Sequence, residues 1–198
     1  MKISFKTGVI ILVIVIVVYQ LAVSIYEKKS KGAESIVETE SPQILEDTTK
    51  RLRAVVPNFN DVPGLITSLE QLNIGKFSEW KFRDFDYLAN TPYYEIGNGA
   101  PLANNVAIYI EGPTENFVEE VKVILNVNNK AQEKLAQNKF REVIKSCYEA
   151  VGLKPSSGLL NSIGKTTFNA SNEKYSEELK LIESNISTWK FILKTEAN

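Results

Sequence analysis

The longest apolar run of the chain lies at its start. Residues 8–26, GVIILVIVIVVYQLAVSIY, are interrupted only by Gln20 and Ser24, and they follow the basic residues Lys2 and Lys6. These 19 residues come close to the roughly twenty that cross the hydrocarbon core of a bilayer as a helix. The pattern therefore predicts a membrane anchor over residues 1–26.

A cleaved signal peptide is the alternative that the same residues allow. Ala22, Val23 and Ser24 satisfy the rule of small residues before a cleavage site, which would then precede Ile25. We favour the anchor because apolar residues continue unbroken to Tyr19 and the stretch after Gln20 extends the run.

Charge does not orient this segment in a membrane. The lysines that flank the apolar run are nearly balanced, with Lys2 and Lys6 before it and Lys28, Lys29 and Lys31 after it. The positive-inside rule therefore gives no preference. A short tail before a large C-terminal region is typical of a signal anchor. We therefore expect a single-pass membrane protein whose C-terminal domain lies outside the cytoplasm, or a secreted or periplasmic protein if cleavage follows Ser24.

The next segment, residues 27–55, is polar and short of aromatic side chains. Such a composition is typical of a tether between a membrane and a domain. Ser41 as a helix cap and Pro42 as a first helical residue predict that part of this tether is helical.

Beyond the tether, the spacing of apolar residues changes between helical and strand periods. Leu65, Ile66, Leu69 and Leu72 repeat at helical spacing before Gly75. Strict alternation predicts two β-hairpins, over residues 104–129 and 173–195. Between the hairpins, residues 129–151 predict a long amphipathic helix that ends at Gly152. Its apolar stripe consists of Ala136, Phe140, Val143, Ile144, Cys147 and Val151.

Together these elements predict an α+β domain over residues 56–198. Its antiparallel sheet, of about five to six strands, is expected to be covered on one face by the long helix and by short helices, because one set of alternating positions is apolar and the other is mixed. The predicted transmembrane or signal helix precedes this domain.

The composition of the chain excludes several chemistries. The chain has 198 residues, no histidine and a single cysteine, Cys147, so histidine-based acid–base catalysis, Cys/His metal sites and internal disulfides are ruled out. Its 23 basic and 24 acidic residues give a net charge of −1, which makes nucleic acid a poor candidate partner. Cys147 lies in the apolar stripe, so we interpret it as a buried small hydrophobic residue. We predict no catalytic residue, no cofactor and no metal ligand.

One segment, GLLNSIGKTT over residues 158–167, looks like a phosphate-binding loop. Such a loop needs four residues between its glycines, a strand before it and a helix after it. Here Gly158 and Gly164 enclose five residues, a helical pattern precedes the loop and an extended pattern follows it. We therefore predict no nucleotide site, but a short helix ended by Gly164 and followed by a strand.

Aromatic residues are concentrated between residues 77 and 109. We predict a binding surface for peptide or glycan formed by Trp80, Phe82, Phe85, Tyr87, Tyr93, Tyr94 and Tyr109. The competing interpretation is that most of these rings belong to the core. Glu79, Asp84 and Asp86 lie among the aromatics and are the candidate acids of a carboxylate-dependent hydrolase.

Three functional hypotheses follow from the sequence. The first is a non-catalytic binding or interaction module, anchored to a membrane through residues 8–26 and facing outward, with a protein partner, as in an envelope accessory or a protective inhibitor. The second is a small carboxylate-dependent hydrolase that acts on glycan. The third is an extracytoplasmic sensor of a small ligand that requires a membrane partner. We favour the first because the chain offers few catalytic groups.

Overall fold

A computed structural model describes residues 53–98 and 102–197 of the chain. The predicted anchor over 1–26 and the tether up to residue 52 lie outside these described residues. Within them, no helix combines the length and the apolar character that a bilayer crossing requires.

The described residues form helices and eight strands in one sheet. The α-helices are α1 (Val62–Glu70), α2 (Glu133–Val151) and α3 (Leu159–Ser162), and 3₁₀ turns lie at Pro57–Asn60 and Lys130–Gln132. The strands are β1 (Lys81–Arg83), β2 (Asp86–Asn90), β3 (Tyr94–Ile96), β4 (Asn104–Gly112), β5 (Glu120–Val127), β6 (Phe168–Ser171), β7 (Tyr175–Glu183) and β8 (Ser187–Thr195).

The strands pair in the order β1-β2-β4-β5-β8-β7-β6, and β3 pairs with β4 beside β2. Every pairing is antiparallel. The predicted α+β class and antiparallel sheet are confirmed. The sheet has eight strands where five to six were expected, because β1 and β3 have three residues each and β6 has four, too few to show clear alternation.

One face of the sheet forms the core beneath α2. Ile108, Val123, Phe191 and Leu179 lie side by side across β4, β5, β8 and β7, and all four are fully buried. The predicted stripe of α2 is also buried, including Cys147. Burying each large apolar side chain stabilises the fold by about 1.5–3 kcal/mol, so this contact layer is the main source of stability.

The ends of α2 follow from local capping. Asn129 accepts a hydrogen bond from the Ala131 amide at the preceding 3₁₀ turn. At the other end, Gly152 adopts the left-handed conformation with φ of 72°, and the Leu153 amide donates to the Tyr148 carbonyl. A left-handed glycine is the usual way to end a helix, and the predicted end of this helix at Gly152 is confirmed.

A buried polar contact joins the C-terminal part of α2 to β7. The Tyr148 hydroxyl and the Ser156 amide both donate to Oε1 of Glu177, the latter over 3.1 Å. Glu177 is 1% exposed, and its Oε2 has no hydrogen-bond partner within the described part of the chain. Burial, together with the bond to Glu177, raises the pKa of Tyr148. Polar contacts of this kind favour one packing arrangement over others.

The opposite face of the sheet, which we call the open face, carries polar and charged side chains. Lys122 of β5 is central to it, and its Nζ contacts Glu111 and lies 2.8 Å from Glu120. Lys180 pairs with Glu178 on β7. The mixed face that the alternation predicted is therefore the one that α2 does not cover.

A β-bulge separates β2 from β3. Asn90 pairs with Tyr109 and Tyr94 pairs with Val106, so three residues of one strand face two residues of β4. Pro92 lies in this bulge, a position where a strand tolerates the missing amide hydrogen. The bulge directs β3 along β4 with a shifted register.

The first and last described residues meet at one end of the sheet. Ala54 forms a bridge with Ala197, and the Val55 amide donates to the Glu196 carbonyl over 2.9 Å. This end, where β4 and β8 finish and β5 begins, is called the terminal end. The other end, where β3 and the start of α2 lie, is called the distal end.

The packing makes a prediction about two neighbouring residues of β5. Leu125 is fully buried under α2, whereas Ile124 points to the open face and is partly exposed. Leu125→Ala should lower the free energy of unfolding by about 2–5 kcal/mol, because it leaves a cavity. Ile124→Ala is the matched control, and its loss should be less than half as large. Urea unfolding followed by tryptophan fluorescence measures both values, and equal losses would contradict the assignment of faces.

Candidate functional site

The seven predicted aromatic residues do not form one surface. Trp80, Phe82 and Tyr87 cluster near the terminal end, with ring centroids 5.7 Å apart for Trp80 and Tyr87 and 5.6 Å for Phe82 and Tyr87. The Trp80 indole donates to the Glu115 carbonyl over 3.2 Å. Phe85 is 88% exposed in the turn between β1 and β2. These four rings therefore border the outer edge of the sheet.

The other three predicted aromatics lie nearer the distal end, on two faces. Tyr93 and Tyr109 share the open face, where the Tyr109 hydroxyl donates to the Tyr93 hydroxyl over 3.1 Å. Tyr94 lies on the face that α2 covers, with Lys139 of α2 5.8 Å from the centre of its ring. The sheet thus separates Tyr94 from its sequence neighbour Tyr93.

A groove lies between β3 and the first half of α2. Its volume is about 320 Å³, and we call it the β3–α2 groove. The lining residues are Tyr94, Glu95, Ile96 and Gly97 from the strand and Leu135, Asn138, Lys139 and Glu142 from the helix. Leu135 is 51% exposed and Tyr94 is 40% exposed. Large apolar side chains are thus open to solvent beside polar ones, the composition typical of a binding groove.

The end of β3 is fixed to the start of α2. Gln132 accepts a hydrogen bond from the Asn98 amide over 3.1 Å. Gly97 has φ of 84°, and a Cβ at this position would overlap the Gln132 side chain. The left-handed conformation therefore favours glycine here, and a defined contact joins the two walls at this end of the groove.

The charges in the groove are of both signs. Lys139 lies 3.3 Å from Glu142, its partner one turn along α2, and also faces the Tyr94 ring. Glu95 is exposed on the other side of β3. An exposed ion pair and a cation–π contact are each worth about 1 kcal/mol or less, so these residues shape the rim more than they stabilise the fold.

Two further cavities lie between α1 and its neighbours, and both are polar. One, of about 350 Å³, is lined by Ser68, Gln71, Leu72, Ser146, Glu149 and Ala150. The other, of about 230 Å³, borders Asp61 and Ser68 near the N-terminus of α1. Neither combines exposed aromatic and aliphatic side chains as the β3–α2 groove does.

The candidate acids of a hydrolase are spread along one hairpin. Glu79 precedes β1 and lies 3.6 Å from Lys81. Asp84 occupies the β1–β2 turn with φ of 57°, and Asp86 pairs across the hairpin with Arg83.

Within the described ranges, no group of three or more acidic, cysteine or histidine side chains is close enough to hold a metal ion.

The segment that looked like a phosphate loop has the predicted structure. Residues 159–162 form α3, Gly164 adopts φ of 79°, and β6 begins at Phe168. A helix therefore precedes the glycine and a strand follows it, the reverse of the order that a phosphate loop needs.

Sequence reasoning missed the helix side of the groove. Leu135 could have indicated this wall, because it is a large apolar residue outside the apolar stripe of α2. An apolar residue on the polar side of an amphipathic helix indicates a second contact surface.

Comparisons of the chain with protein-family models, with curated proteins and with solved structures found no match.

The contact between Tyr93 and Tyr109 predicts how Tyr109 titrates and how this affects stability at high pH. Desolvation, followed by the hydrogen bond to Tyr93, raises the pKa of Tyr109 from 10.0 to about 12. Because the folded chain retains this proton while the unfolded chain loses it, the contribution of Tyr109 to the free energy of unfolding should be constant below pH 10 and fall as the pH rises from 10 to about 12. Tyr93→Phe should lower the pKa of Tyr109 in absorbance titrations near the tyrosinate band. The neighbouring Tyr94→Phe is the control and should leave it unchanged.

The environment of Cys147 predicts an inert thiol. Complete burial raises the pKa of Cys147 from 9.0 to about 12, and only the thiolate reacts rapidly with disulfide reagents. Ellman's reagent should therefore leave the native chain unlabelled at pH 8 and label it after denaturation. Lys145→Cys in a Cys147→Ser background is the positive control and should react at once. Rapid labelling of native Cys147 would contradict the prediction.

Proposed function

We propose that this chain is a non-catalytic interaction module that binds a protein partner through the β3–α2 groove. In this proposal, residues 8–26 anchor the chain in a membrane, or residues 1–24 are removed on export, and the domain faces outward. The observation that carries it is the exposure of Leu135 and Tyr94 on opposite walls of one groove.

The composition of the groove supports a protein as the partner. Tyrosine and large aliphatic residues are frequent at the centre of protein interfaces, where a few of them supply most of the binding energy. Around them, Asn138, Lys139 and Glu142 provide a polar rim. The Gln132–Asn98 contact joins the two walls at one end, and a contact made before binding lowers the entropy that binding must overcome.

The N-terminal sequence supports the proposed location. An apolar run of this length after two lysines is typical of an anchor or of an exported protein. A polar segment then separates the run from the folded domain. An outward-facing domain with a groove for a partner fits an envelope accessory or a protective inhibitor.

Site-specific photocrosslinking tests the proposal. A photoreactive phenylalanine analogue is placed at Leu135, at Tyr94 or, as the matched control, at the exposed Glu173 in the turn before β7. Each protein is produced in its native membrane and irradiated. The two groove positions should give the same discrete protein adduct, and position 173 should not.

A substitution in the groove tests whether the crosslinked partner is bound there. Leu135→Asp, combined with the photoreactive residue at Tyr94, should reduce the adduct at least about tenfold, because a charge in the centre of an interface is costly. Adducts with lipid alone, or equal adducts from the groove and from position 173, would overturn the proposal.

A further inference from the structure

The outer edge of β3, beside the β3–α2 groove, is left uncovered in this sheet. β2 is covered, since β1 pairs with it and the Ser78 amide donates to the Asn90 carbonyl over 2.9 Å. β3 pairs only with β4, and no other backbone group of the described residues bonds to Tyr94–Ile96. The outward amide and carbonyl groups of β3 are thus free to pair with another strand.

Other parts of the same side of the sheet are protected. The outer strand β1 presents the exposed charges of Lys81 and Arg83, and charged side chains at an edge discourage pairing with a further strand. Pro92 occupies the bulge before β3, where an amide hydrogen is absent. β3 follows these protected positions and has an apolar groove beside it.

We propose that β3 receives an extended peptide segment of the partner as an additional strand, which lies in the β3–α2 groove. This proposal rests on the proposed function and specifies how the partner is bound. Addition of a strand to a free edge supplies main-chain hydrogen bonds, and the pockets on either side select alternate side chains.

The side chains on each face of β3 define the chemistry of that segment. On the face toward α2, an added strand meets Tyr94, Ile96 and Leu135, which are apolar. On the other face its neighbour is Glu95, which pairs with Asn105 across β4 and has no ion-pair partner in the described residues. Lys139 is already paired with Glu142. The groove therefore favours a segment that alternates apolar and basic residues, with a basic side chain beside Glu95.

The first test measures the charge preference. The full chain in lipid nanodiscs is titrated with two capped seven-residue peptides, one alternating valine with lysine and the other alternating valine with glutamate. The lysine peptide should bind about two- to fivefold more tightly, the range for one cross-strand charge pair. Glu95→Lys should reverse this order, and the control Glu173→Lys should leave it unchanged.

The second test measures strand pairing itself. Two versions of the lysine peptide are N-methylated at alternate amides, one at the odd positions and one at the even positions. Only one of the two lacks the amide hydrogens that would face β3. That version should bind at least about fivefold more weakly per bond removed, and the other version should lose little affinity. Hydrogen exchange of the outward-facing amide of β3 should slow when the unmodified peptide binds, whereas the amides already paired with β4 should change little.

Three results would overturn the inference. They are no binding of either peptide at millimolar concentration, equal affinity of both N-methylated peptides, or binding without protection of β3. If photocrosslinking from Leu135 still yields a discrete protein adduct, the proposed function stands and only the strand-addition mode fails. If that adduct is also absent, both proposals fail.

Discussion

The burial of a single face of the sheet under α2 is the constraint on which the rest of this structure depends. Rows of apolar residues such as Ile108, Val123 and Phe191 fit against the stripe of α2 in one register only, because a slip by one residue would turn every apolar side chain of a strand to the open face. Fixing α2 over the sheet also fixes where its flank meets β3. The groove is a consequence of the same packing that forms the core.

Apolar packing alone would leave the position of α2 along the sheet poorly determined, and polar contacts at both ends define it. At the terminal end, Glu177 accepts hydrogen bonds from Tyr148 and Ser156. At the distal end, Gln132 accepts one from Asn98. Burying a carboxylate with one oxygen unpartnered is costly, so we interpret the Glu177 contact as a determinant of geometry and not as a large source of stability.

The sequence predicted the elements whose signal is local and regular. The β4–β5 and β7–β8 hairpins and α2 follow from alternation and from helical spacing, and Gly152 marks the end of α2 because its left-handed conformation is a local requirement. β3 was not predicted as a separate strand, since three residues after a proline-containing bulge form a strand only when β4 lies beside them. Tyr94 was included in the predicted site, but its grouping with Tyr93 and Phe85 was not informative, because adjacent strand residues point to opposite faces. Leu135 was missed because it comes to line the same groove as Tyr94 only after α2 folds back over the sheet.

The bridge between Ala54 and Ala197 has a mechanical consequence. Tension on the chain before Ala54 would act first on the two hydrogen bonds between Ala54 and the Asn60 side chain. It would act next on those from Val55 to Glu196 and from Val56 to Thr195, which can open one after another from the end of β8. The load is thus received at the opposite end of the sheet from β3. If the N-terminal segment is under tension while a partner is bound in the groove, the hydrogen bonds at the terminal end would be strained before the binding site is distorted.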